Sequence, residues 1–462
     1  MLETNNLSIA YQSNELIFQN VNFGISKGEC LAVIGENGSG KSTLGYALIK
    51  IIPNLIRAEV SGKCLINEGE YDFPTAKKII GYTFQDADSQ IISLGLFRVK
   101  DISDAYKNSR TCTKRFANDH IREQTLPASL AELSEGQKQK IILKLITSAN
   151  FSYFILDEPS ANLDQIEKDL LMNRIKMLLE RGKTIIILTH DIDLLNNLRP
   201  KCLHLDKADS IFYANYVNFQ KNFEMNIKEY DTFSKSKSKF AKLQSNTKVV
   251  SLKEVNYRYN KKSKFSLKDI NINIFEGEIV GIAGRNGSGK STLIKLIGGV
   301  IKPNSGKIEY LTNDKKKGIP NSAILFQNPN KQIFCATVEE ELQFGLKNFN
   351  VPRNDINKRI EWAFNYFKLD TFISDPFALS FGQKKILALA STVILDSKIL
   401  LLDEPDLSLD MSYRKLEAQL FSDLIQKKKS IIIATHNKFI LDNLCSRILY
   451  LEEGKIREIR EI

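Results

Sequence analysis

Short apolar runs recur along the whole chain and are separated by polar or glycine-containing turns. Residues 2–11 and 249–259 alternate between apolar and polar positions, which predicts strands that bury one face. Residues 151–156 and 398–402 are almost wholly apolar, which predicts strands that are covered on both faces. Segments with apolar residues at helical spacing lie between the strands. The alternation predicts an α/β fold with mainly parallel sheets, together with an antiparallel β subdomain.

The same series of segments occurs twice in the chain. Residues 35–43 read GENGSGKST, and residues 284–292 read GRNGSGKST. A Phe-Gln pair, a polar section with helical periodicity, a Leu-Ser-x-Gly-Gln element, an Asp-Glu-Pro element and a Thr-His pair follow each stretch in that order. The order predicts two tandem copies of one domain, each with a helical subdomain, over residues 1–215 and 248–462.

Residues 216–247 connect the two copies and differ from them in composition. Apolar and aromatic residues between positions 219 and 230 recur at helical spacing, which predicts an amphipathic helix that packs on the first domain. The Ser- and Lys-rich sequence that follows predicts a solvated linker.

Both glycine-rich stretches have the G-x-x-x-x-G-K-[ST] spacing of a phosphate-binding loop. Residues 29–34 before the first stretch predict a strand and residues 44–52 after it predict a helix, which is the context that the motif requires. Glycines let successive N–H groups turn toward phosphate oxygens, and the helix N-terminus favours negative charge. Lys41 is placed to reach the β- and γ-phosphates, and the hydroxyl of Ser42 is placed to bind Mg²⁺.

The apolar strands end in paired carboxylates, Asp157 and Glu158 in the first copy and Asp403 and Glu404 in the second. A carboxylate at the tip of a strand beside a phosphate loop is placed to hold Mg²⁺. The carboxylate that follows can polarise the water that attacks the γ-phosphate.

Two further elements occur at matched positions. Two of the four histidines, His190 and His436, end corresponding strands, and this duplication favours a γ-phosphate contact over a purely structural role. Ser134 and Ser380 belong to Leu-Ser-x-Gly-Gln elements, where serine and glycine would cap the next helix and present N–H groups to an anion.

The order of these motifs resembles the nucleotide-binding domains of ABC ATPases, and the resemblance covers both copies. In that family two domains face each other head to tail and enclose two ATP molecules. The resemblance implies that each ATP site combines the phosphate loop of one domain with the Leu-Ser-x-Gly-Gln serine of the other. It also implies ATPase activity, with ATP and Mg²⁺ as cofactors.

Carried over to this chain, the resemblance assigns three groups of site residues. The candidate catalytic residues are Glu158, Glu404, His190, His436, Gln85 and Gln327. The candidate ATP-binding residues are Tyr11, Gly35, Asn37, Gly38, Gly40, Lys41, Ser42, Thr43, Tyr259, Gly284, Asn286, Gly287, Gly289, Lys290, Ser291 and Thr292, with Ser134, Gly136, Ser380 and Gly382 from the Leu-Ser-x-Gly-Gln elements. The candidate Mg²⁺ ligands are Ser42, Gln85, Asp157, Ser291, Gln327 and Asp403.

Two positions depart from the pattern of the family. Glu135 and Phe381 stand where the family usually has the first glycine of Leu-Ser-Gly-Gly-Gln. The serine and the second glycine are retained in both elements, and both copies keep their glutamate and histidine. Neither site therefore lacks a residue that hydrolysis requires.

Composition narrows the class of protein. The 462 residues, 43% of them hydrophobic, fit a two- or three-domain globular chain, and no apolar run approaches the ~18 to 20 residues of a membrane span. The first residues lack the basic and apolar regions of a secretory signal. Six scattered cysteines without a C-x-x-C pair argue against disulfides or zinc. The net charge of +11 fits either an acidic partner or a solvated Lys-rich surface.

Residues 325–346 of the second copy, which read LFQNPNKQIF and later TVEEELQFGL, are similar to the glutamine-loop region of energy-coupling factor (ECF) ATPases. That resemblance implies a fused pair of the A and A′ subunits. It further implies a transmembrane T subunit and a substrate-binding S subunit as partners, uptake of a vitamin or transition-metal ion, and a peripheral location on the cytoplasmic face of the membrane.

The alternative belongs to another class, the ribosome-associated ABC-F translation factors, which also have tandem domains and no membrane span. Their hallmark is a long, basic, helical linker, whereas the linker here has only about 30 residues. This difference favours the ECF interpretation, in which no nucleic acid is a partner. A sugar-type or peptide-type importer ATPase is a third possibility.

Overall fold

The structure is a computed structural model. It describes residues 1–11, 15–36, 38–84, 135–161, 163–189, 192–206, 210–220, 245–260, 265–311, 321–406 and 411–461. The chain divides into two units, Met1–Asn226 and Ile227–Ile462.

The described elements of the first unit alternate between strands and helices. Its strands are β1 (Leu2–Tyr11), β2 (Glu15–Ile25), β3 (Cys30–Ile34), β4 (Ala58–Ile66), β5 (Gly69–Glu70), β6 (Ile80–Thr83), β7 (Tyr153–Asp157), β8 (Thr184–Leu188), β9 (Lys201–Leu205) and β10 (Ser210–Tyr213). Its helices are α1 (Lys41–Leu48), α2 (Ile51–Asn54), α3 (Phe73–Ile79), α4 (Glu135–Ser148), α5 (Gln165–Glu180) and α6 (Ile192–Leu198).

The second unit repeats this series. Its strands are β11 (Lys248–Tyr257), β12 (Leu267–Phe275), β13 (Ile279–Ala283), β14 (Ser305–Tyr310), β15 (Ser322–Leu325), β16 (Ile399–Asp403), β17 (Ser430–Ala434), β18 (Arg447–Glu452) and β19 (Lys455–Glu461). Its helices are α7 (Lys290–Ile297), α8 (Val338–Asn348), α9 (Arg353–Phe367), α10 (Phe381–Val393), α11 (Met411–Gln426) and α12 (Lys438–Asn443), with 3-10 turns at Pro329–Lys331, Leu369–Thr371 and Pro376–Ala378.

Each unit contains a mainly parallel six-stranded sheet. The strand order is β10-β9-β3-β8-β7-β6 in the first unit and β15-β16-β17-β13-β18-β19 in the second. All pairs are parallel except β9 with β10 and β18 with β19. A smaller antiparallel sheet, β2-β1-β4-β5 or β12-β11-β14, accompanies each. The predicted α/β class, with its antiparallel β subdomain, is confirmed.

The apolar strands form the centre of each unit because both of their faces are covered. All five residues of β3, β7, β8, β13, β16 and β17 are buried. In the second unit, α8 and α9 contribute further buried residues such as Leu342, Leu346, Ala363 and Phe367 to the same core. These helices are the predicted helical subdomain, whose counterpart in the first unit falls on residues outside the described ranges.

The helix after the first phosphate loop ends earlier than the predicted limit of residue 52. Lys50 adopts a left-handed conformation with φ 61°, and Ile52 is extended at φ −92° and ψ 129°. A right-handed helix cannot include a residue in the left-handed conformation, so the chain does not continue as one helix past Lys50. Helix α1 therefore spans only Lys41–Leu48.

Part of the predicted linker packs on the first unit. Residues 216–220 are helical, and Tyr216 and Phe219 are buried against Ala32, Leu195 and Cys202. The rest of the linker up to residue 244 lies outside the described residues. Among the helices that are described, none is both long and apolar enough to cross a membrane.

We expect Gly281→Ala to destabilise the second unit. A Cβ atom on Gly281 would lie 2.7 Å from Leu441 Cδ2 and 2.9 Å from Cys445 Sγ, so these two buried side chains would have to shift. Such overpacking costs about 1–3 kcal/mol of the free energy of unfolding. Urea unfolding followed by the fluorescence of Trp362, the only tryptophan of the chain, measures the loss in this unit.

The wild-type chain is the reference. An unfolding midpoint of Gly281→Ala equal to that of the wild type would contradict the packing argument.

Candidate functional site

In the first unit, the phosphate loop connects the end of β3 to the start of α1. Gly40, the residue before the helix, has φ 94°, and a Cβ there would lie 2.6 Å from Ile17 Cγ2. Only glycine fits this conformation and this space. Lys41 is 9% exposed. Its ammonium group donates to the carbonyl oxygens of Gly35 at 2.7 Å and Glu36 at 2.9 Å. The lysine charge is therefore held within the curl of the loop.

The second phosphate loop repeats this geometry. Gly289 has φ 111° and precedes the helix that begins at Lys290. The ammonium group of Lys290 donates to Gly284 O at 3.0 Å. In both loops a serine hydroxyl, Ser39 Oγ or Ser288 Oγ, is buried without a hydrogen-bond partner in the part of the chain that the structure describes. Buried hydroxyl groups without a partner are rare in folded proteins and suit a loop that takes a polar ligand.

Each loop also contacts the tyrosine that the family resemblance places among the ATP-binding residues. The hydroxyl of Tyr11 lies 3.2 Å from Thr43 Oγ1, and that of Tyr259 lies 3.2 Å from Thr292 Oγ1. Tyr259 is 52% exposed, so its ring face is available. Both tyrosines are thus placed beside their loops in the same way.

Asp157 lies at the end of β7 and is 2% exposed. Burial raises the pKa of Asp157 to about 7, and the neighbouring charge of Glu158 adds to that effect. Hydrogen bonds from Ser42 and Tyr82 act in the opposite direction on this pKa, and the Tyr82 hydroxyl donates to Oδ2 at 3.0 Å. A bound cation would relieve the cost of ionising this carboxyl group.

Asp403 lies at the end of β16 and is 3% exposed. Burial raises its pKa, while a hydrogen bond from Ser291 and the charge of Lys385 lower it. Its Oδ1 atom is buried and has no partner among the described residues. A carboxylate with one unpartnered oxygen beside the hydroxyl of Ser291 matches the oxygen ligands that Mg²⁺ prefers.

The carboxylate that follows each strand has an uncommon backbone conformation. Glu158 has φ 46° and Glu404 has φ 49°, both in the left-handed region. Their N–H groups donate to Leu188 O at 2.9 Å and to Ala434 O at 2.8 Å, which holds the backbone in this shape. Residues kept in such a conformation concentrate at functional sites, because the surrounding structure must maintain them.

His436 lies at the centre of the second site. Its Nε2 atom is 2.9 Å from Lys290 Nζ, 3.1 Å from Asn286 Oδ1 and 3.7 Å from Glu404 Oε1. Burial raises the pKa of Glu404 to about 8, an effect that the charge of Lys290 opposes. The structure therefore brings together, within one unit, the predicted lysine, histidine and glutamate of the second copy.

Two hydrogen bonds to Asp406 hold the backbone on either side of His436. Thr435 Oγ1 donates to Asp406 Oδ1 at 2.8 Å, and Asn437 Nδ2 donates to Asp406 Oδ2 at 2.9 Å. Asp406 is buried, and each of its carboxylate oxygens accepts one of these hydrogen bonds. Both residues that flank His436 are therefore anchored to one carboxylate.

Lys385, a fully buried lysine, lies close to the backbone of Asp403 in the second unit. The Lys385 ammonium donates to the carbonyl oxygens of Phe326 at 3.1 Å, Gln327 at 2.7 Å and Asp403 at 3.3 Å. It belongs to α10, which begins after Ser380. One side chain therefore connects the backbone of Gln327, the end of strand β16 and the helix of the Leu-Ser-x-Gly-Gln element.

Ser380 caps helix α10 as the sequence predicts. Its Oγ accepts from the N–H of Gln383 at 3.3 Å, while Gln383 Oε1 accepts from the N–H of Ser380 at 3.0 Å. Gly382 is buried in the first turn. The glutamine of the motif is thus used to complete the cap, and Phe381 is accommodated as the first residue of the helix.

Several predicted site residues cannot be placed. Asn37, Gln85, Ser134 and His190 lie outside the described residues. Gly136 falls within helix α4, which begins at Glu135.

Tyr82 and Lys385 belong to none of the sequence motifs. Comparison of the two copies gives a signal for Lys385, which stands where the first copy has Gln139.

We expect Asp406→Ala to destabilise the second unit by about 1.5–3 kcal/mol, because two donors would lose a charged acceptor. Asp406→Asn keeps an oxygen that can accept from Thr435, so its loss should be smaller. Urea unfolding followed by Trp362 fluorescence compares the two variants. Equal stabilities of the wild type and the alanine variant would rule out this role for Asp406.

Comparison with known proteins agrees with this geometry. The family described as ABC transporter matches residues 18–161 and 267–407, together more than half of the chain. A protein of Methanosarcina acetivorans, named provisionally as an ABC transporter ATP-binding protein, is 29% identical over 99% of this chain and 90% of its own length. A protein of Lactobacillus johnsonii with the same provisional name is 30% identical over 99% of this chain and 89% of its own length.

A solved structure with a similar fold is that of RNase-L Inhibitor. It covers 98% of this chain and 90% of its own, with a TM-score of 0.63 and 21% sequence identity, and it supports the fold alone. The two family matches coincide with the two phosphate loops and the two Asp-Glu-Pro elements. The chain belongs to the ABC transporter family, as an ATPase with two tandem ATP-binding domains.

Proposed function

We propose that this ATPase is the energy-coupling subunit of an ECF-type importer. In this proposal it lies on the cytoplasmic face of the membrane and drives uptake of a vitamin or transition-metal ion through separate T and S subunits. The observation that carries the proposal is an exposed aromatic pair, Phe334 and Phe344, directly after the glutamine loop of the second unit. The ECF-like sequence of residues 325–346 surrounds this pair.

The aromatic pair is held on an ordered surface. Glu341 Oε2 accepts from the N–H groups of Phe334 at 3.0 Å and Cys335 at 2.9 Å, which fixes the segment on helix α8. The rings of Phe334 and Phe344 meet edge to face at 4.6 Å and remain 56% and 45% exposed. Fixed aromatic side chains are the usual anchors of protein interfaces. We infer that an apolar helix of the T subunit covers them.

In this proposal each ATP site is composite, with a phosphate loop from one unit and a Leu-Ser-x-Gly-Gln element from the other. The first combines Lys41, Ser42, Gln85, Asp157, Glu158 and His190 with Ser380 and Gly382. The second combines Lys290, Ser291, Gln327, Asp403, Glu404 and His436 with Ser134 and Gly136. The capped N-terminus of α10 supports an anion-binding role for Ser380, because its first N–H groups have no helical partner.

The residues at the strand ends fit Mg²⁺. Asp403 has a buried oxygen without a partner, and the hydroxyl of Ser291 is hydrogen-bonded to the same carboxylate. Ser42 and Asp157 form the same pair in the first unit. These residues, together with Gln85 and Gln327, would hold the ion. When bound, Mg²⁺ neutralises part of the charge on the β- and γ-phosphates.

Hydrolysis then follows from the positions of the side chains. Glu158 or Glu404 orients the attacking water and accepts its proton, for which the carboxylate must be ionised. Lys41 or Lys290 stabilises the negative charge that develops on the γ-phosphate. Hydrolysis separates the two domains, and the segments beside Gln85 and Gln327 transmit that motion to the T subunit.

We expect the doubly substituted Glu158→Gln, Glu404→Gln chain to lose turnover while it still binds ATP. Removal of a general base typically costs 10²–10⁴-fold, and glutamine keeps the shape of glutamate without its charge. Phosphate release under steady-state conditions measures the effect, and Glu361→Gln on the exposed surface of α9 is the control. Normal turnover in the double variant would refute the role of both glutamates.

The test of the transport role is purification of the tagged chain from detergent-solubilised membranes. We expect a polytopic T-like protein and a small hydrophobic partner to co-purify, and Phe334→Ala, Phe344→Ala to abolish this while ATPase activity persists. Phe349→Ala is the matched control, since Phe349 is 60% exposed. Sedimentation of the same lysate with ribosomes, without a membrane partner, would overturn the proposal in favour of a translation factor.

A further inference from the structure

The hydroxyl group of Tyr82 makes a contact that the second unit lacks. It donates to Asp157 Oδ2 at 3.0 Å, and both residues are buried. Tyr82 belongs to strand β6, in which it pairs with Ile155 on the strand that ends at Asp157. The ring is packed against those of Tyr46 at 5.7 Å and Phe84 at 4.8 Å. The donor is therefore held in place by the sheet and by its aromatic neighbours.

The equivalent position of the second unit is apolar. Ile324 pairs with Leu401 on the strand that ends at Asp403, as Tyr82 pairs with Ile155 in the first unit. No hydroxyl can replace that of Tyr82 at this position. In agreement, Asp403 Oδ1 is buried without a partner in the described part of the second unit.

A second position differs between the copies in a way that matches the first. A Cβ on Gly45 would lie 2.9 Å from both Cε2 and the hydroxyl oxygen of Tyr82, so only glycine leaves room for the phenol ring. The corresponding residue after the second phosphate loop is Ile294, which is 1% exposed and packs in the same core as Ile324. The first copy therefore combines Gly45 with Tyr82, whereas the second copy has isoleucine at both corresponding positions.

We propose that Tyr82 is a positioning residue for Asp157 that determines which carboxylate oxygen faces the cation in the first unit. The second unit binds its cation without this hydrogen bond, so the two metal sites are not equivalent. The proposal rests on the proposed role of Asp157 as a Mg²⁺ ligand. Hydrogen bonds that orient a metal ligand typically change metal affinity 10- to 100-fold, which is large enough to make the two sites differ.

The test measures how strongly Mg²⁺ promotes nucleotide binding, independently of turnover. The probe is a fluorescent, slowly hydrolysed ATP analogue, and the quantity is the ratio of its Kd in EDTA to its Kd in Mg²⁺. By linkage, this ratio reports the coupling between metal and nucleotide. A purely structural defect would weaken binding under both conditions and leave the ratio unchanged. The full chain carries Lys290→Ala, so that the first phosphate loop dominates binding.

We expect Tyr82→Phe to lower this ratio about tenfold, with Kd in EDTA unchanged. The Gly45→Ile, Tyr82→Ile variant rebuilds the packing of the second unit without the hydroxyl, and it should show the same reduced ratio. In a Lys41→Ala background, where the second loop dominates, Tyr82→Phe should have no effect. These three results together would support the positioning role.

An unchanged ratio in Tyr82→Phe, or an equal reduction in both lysine backgrounds, would overturn it. A ratio of one before Tyr82 is substituted would instead refute the assignment of Asp157 as a metal ligand, and the positioning role with it.

Discussion

Burial of a carboxylate at the end of a strand costs free energy unless hydrogen-bond donors or a cation lie close by. Each unit is arranged around this requirement. Asp157 and Asp403 end central strands whose residues are all buried. The neighbouring phosphate loop supplies a serine hydroxyl to each carboxylate and keeps its lysine ammonium group within the loop. In the proposed mechanism, a divalent ion that prefers oxygen ligands would complete this arrangement. The site for ATP is thus built where the sheet ends and the helix begins.

The two units satisfy this requirement in different ways. The first unit adds a phenol hydroxyl to its aspartate, from Tyr82. The second unit adds the buried ammonium group of Lys385, which reaches the backbone of Asp403 and of Gln327. The hydrogen bond from Tyr82 involves a single carboxylate. Lys385 instead connects the end of strand β16 to the segment of Gln327, which precedes the exposed aromatic pair.

Local features could be predicted from the sequence, while contacts between distant elements could not. The phosphate loops, the carboxylates at the strand ends and the cap made by Ser380 each depend on a few consecutive residues. The bond from Tyr82 to Asp157 joins residues 75 positions apart, and it depends on the space that Gly45 leaves. Nothing in one copy alone marks these residues. The helix after the first loop is shorter than predicted because Lys50 adopts a left-handed conformation, which the apolar pattern of residues 44–52 does not indicate.

The central claim is that both copies form complete ATP sites, and the number of ATP molecules held by one chain tests it most directly. The measurement is the stoichiometry of ATP retained by the Glu158→Gln, Glu404→Gln chain after rapid gel filtration with Mg²⁺. Because neither unit can then complete hydrolysis, the account predicts two ATP molecules per chain, released together when Mg²⁺ is chelated. One ATP molecule per chain, or retention that does not depend on Mg²⁺, would contradict it.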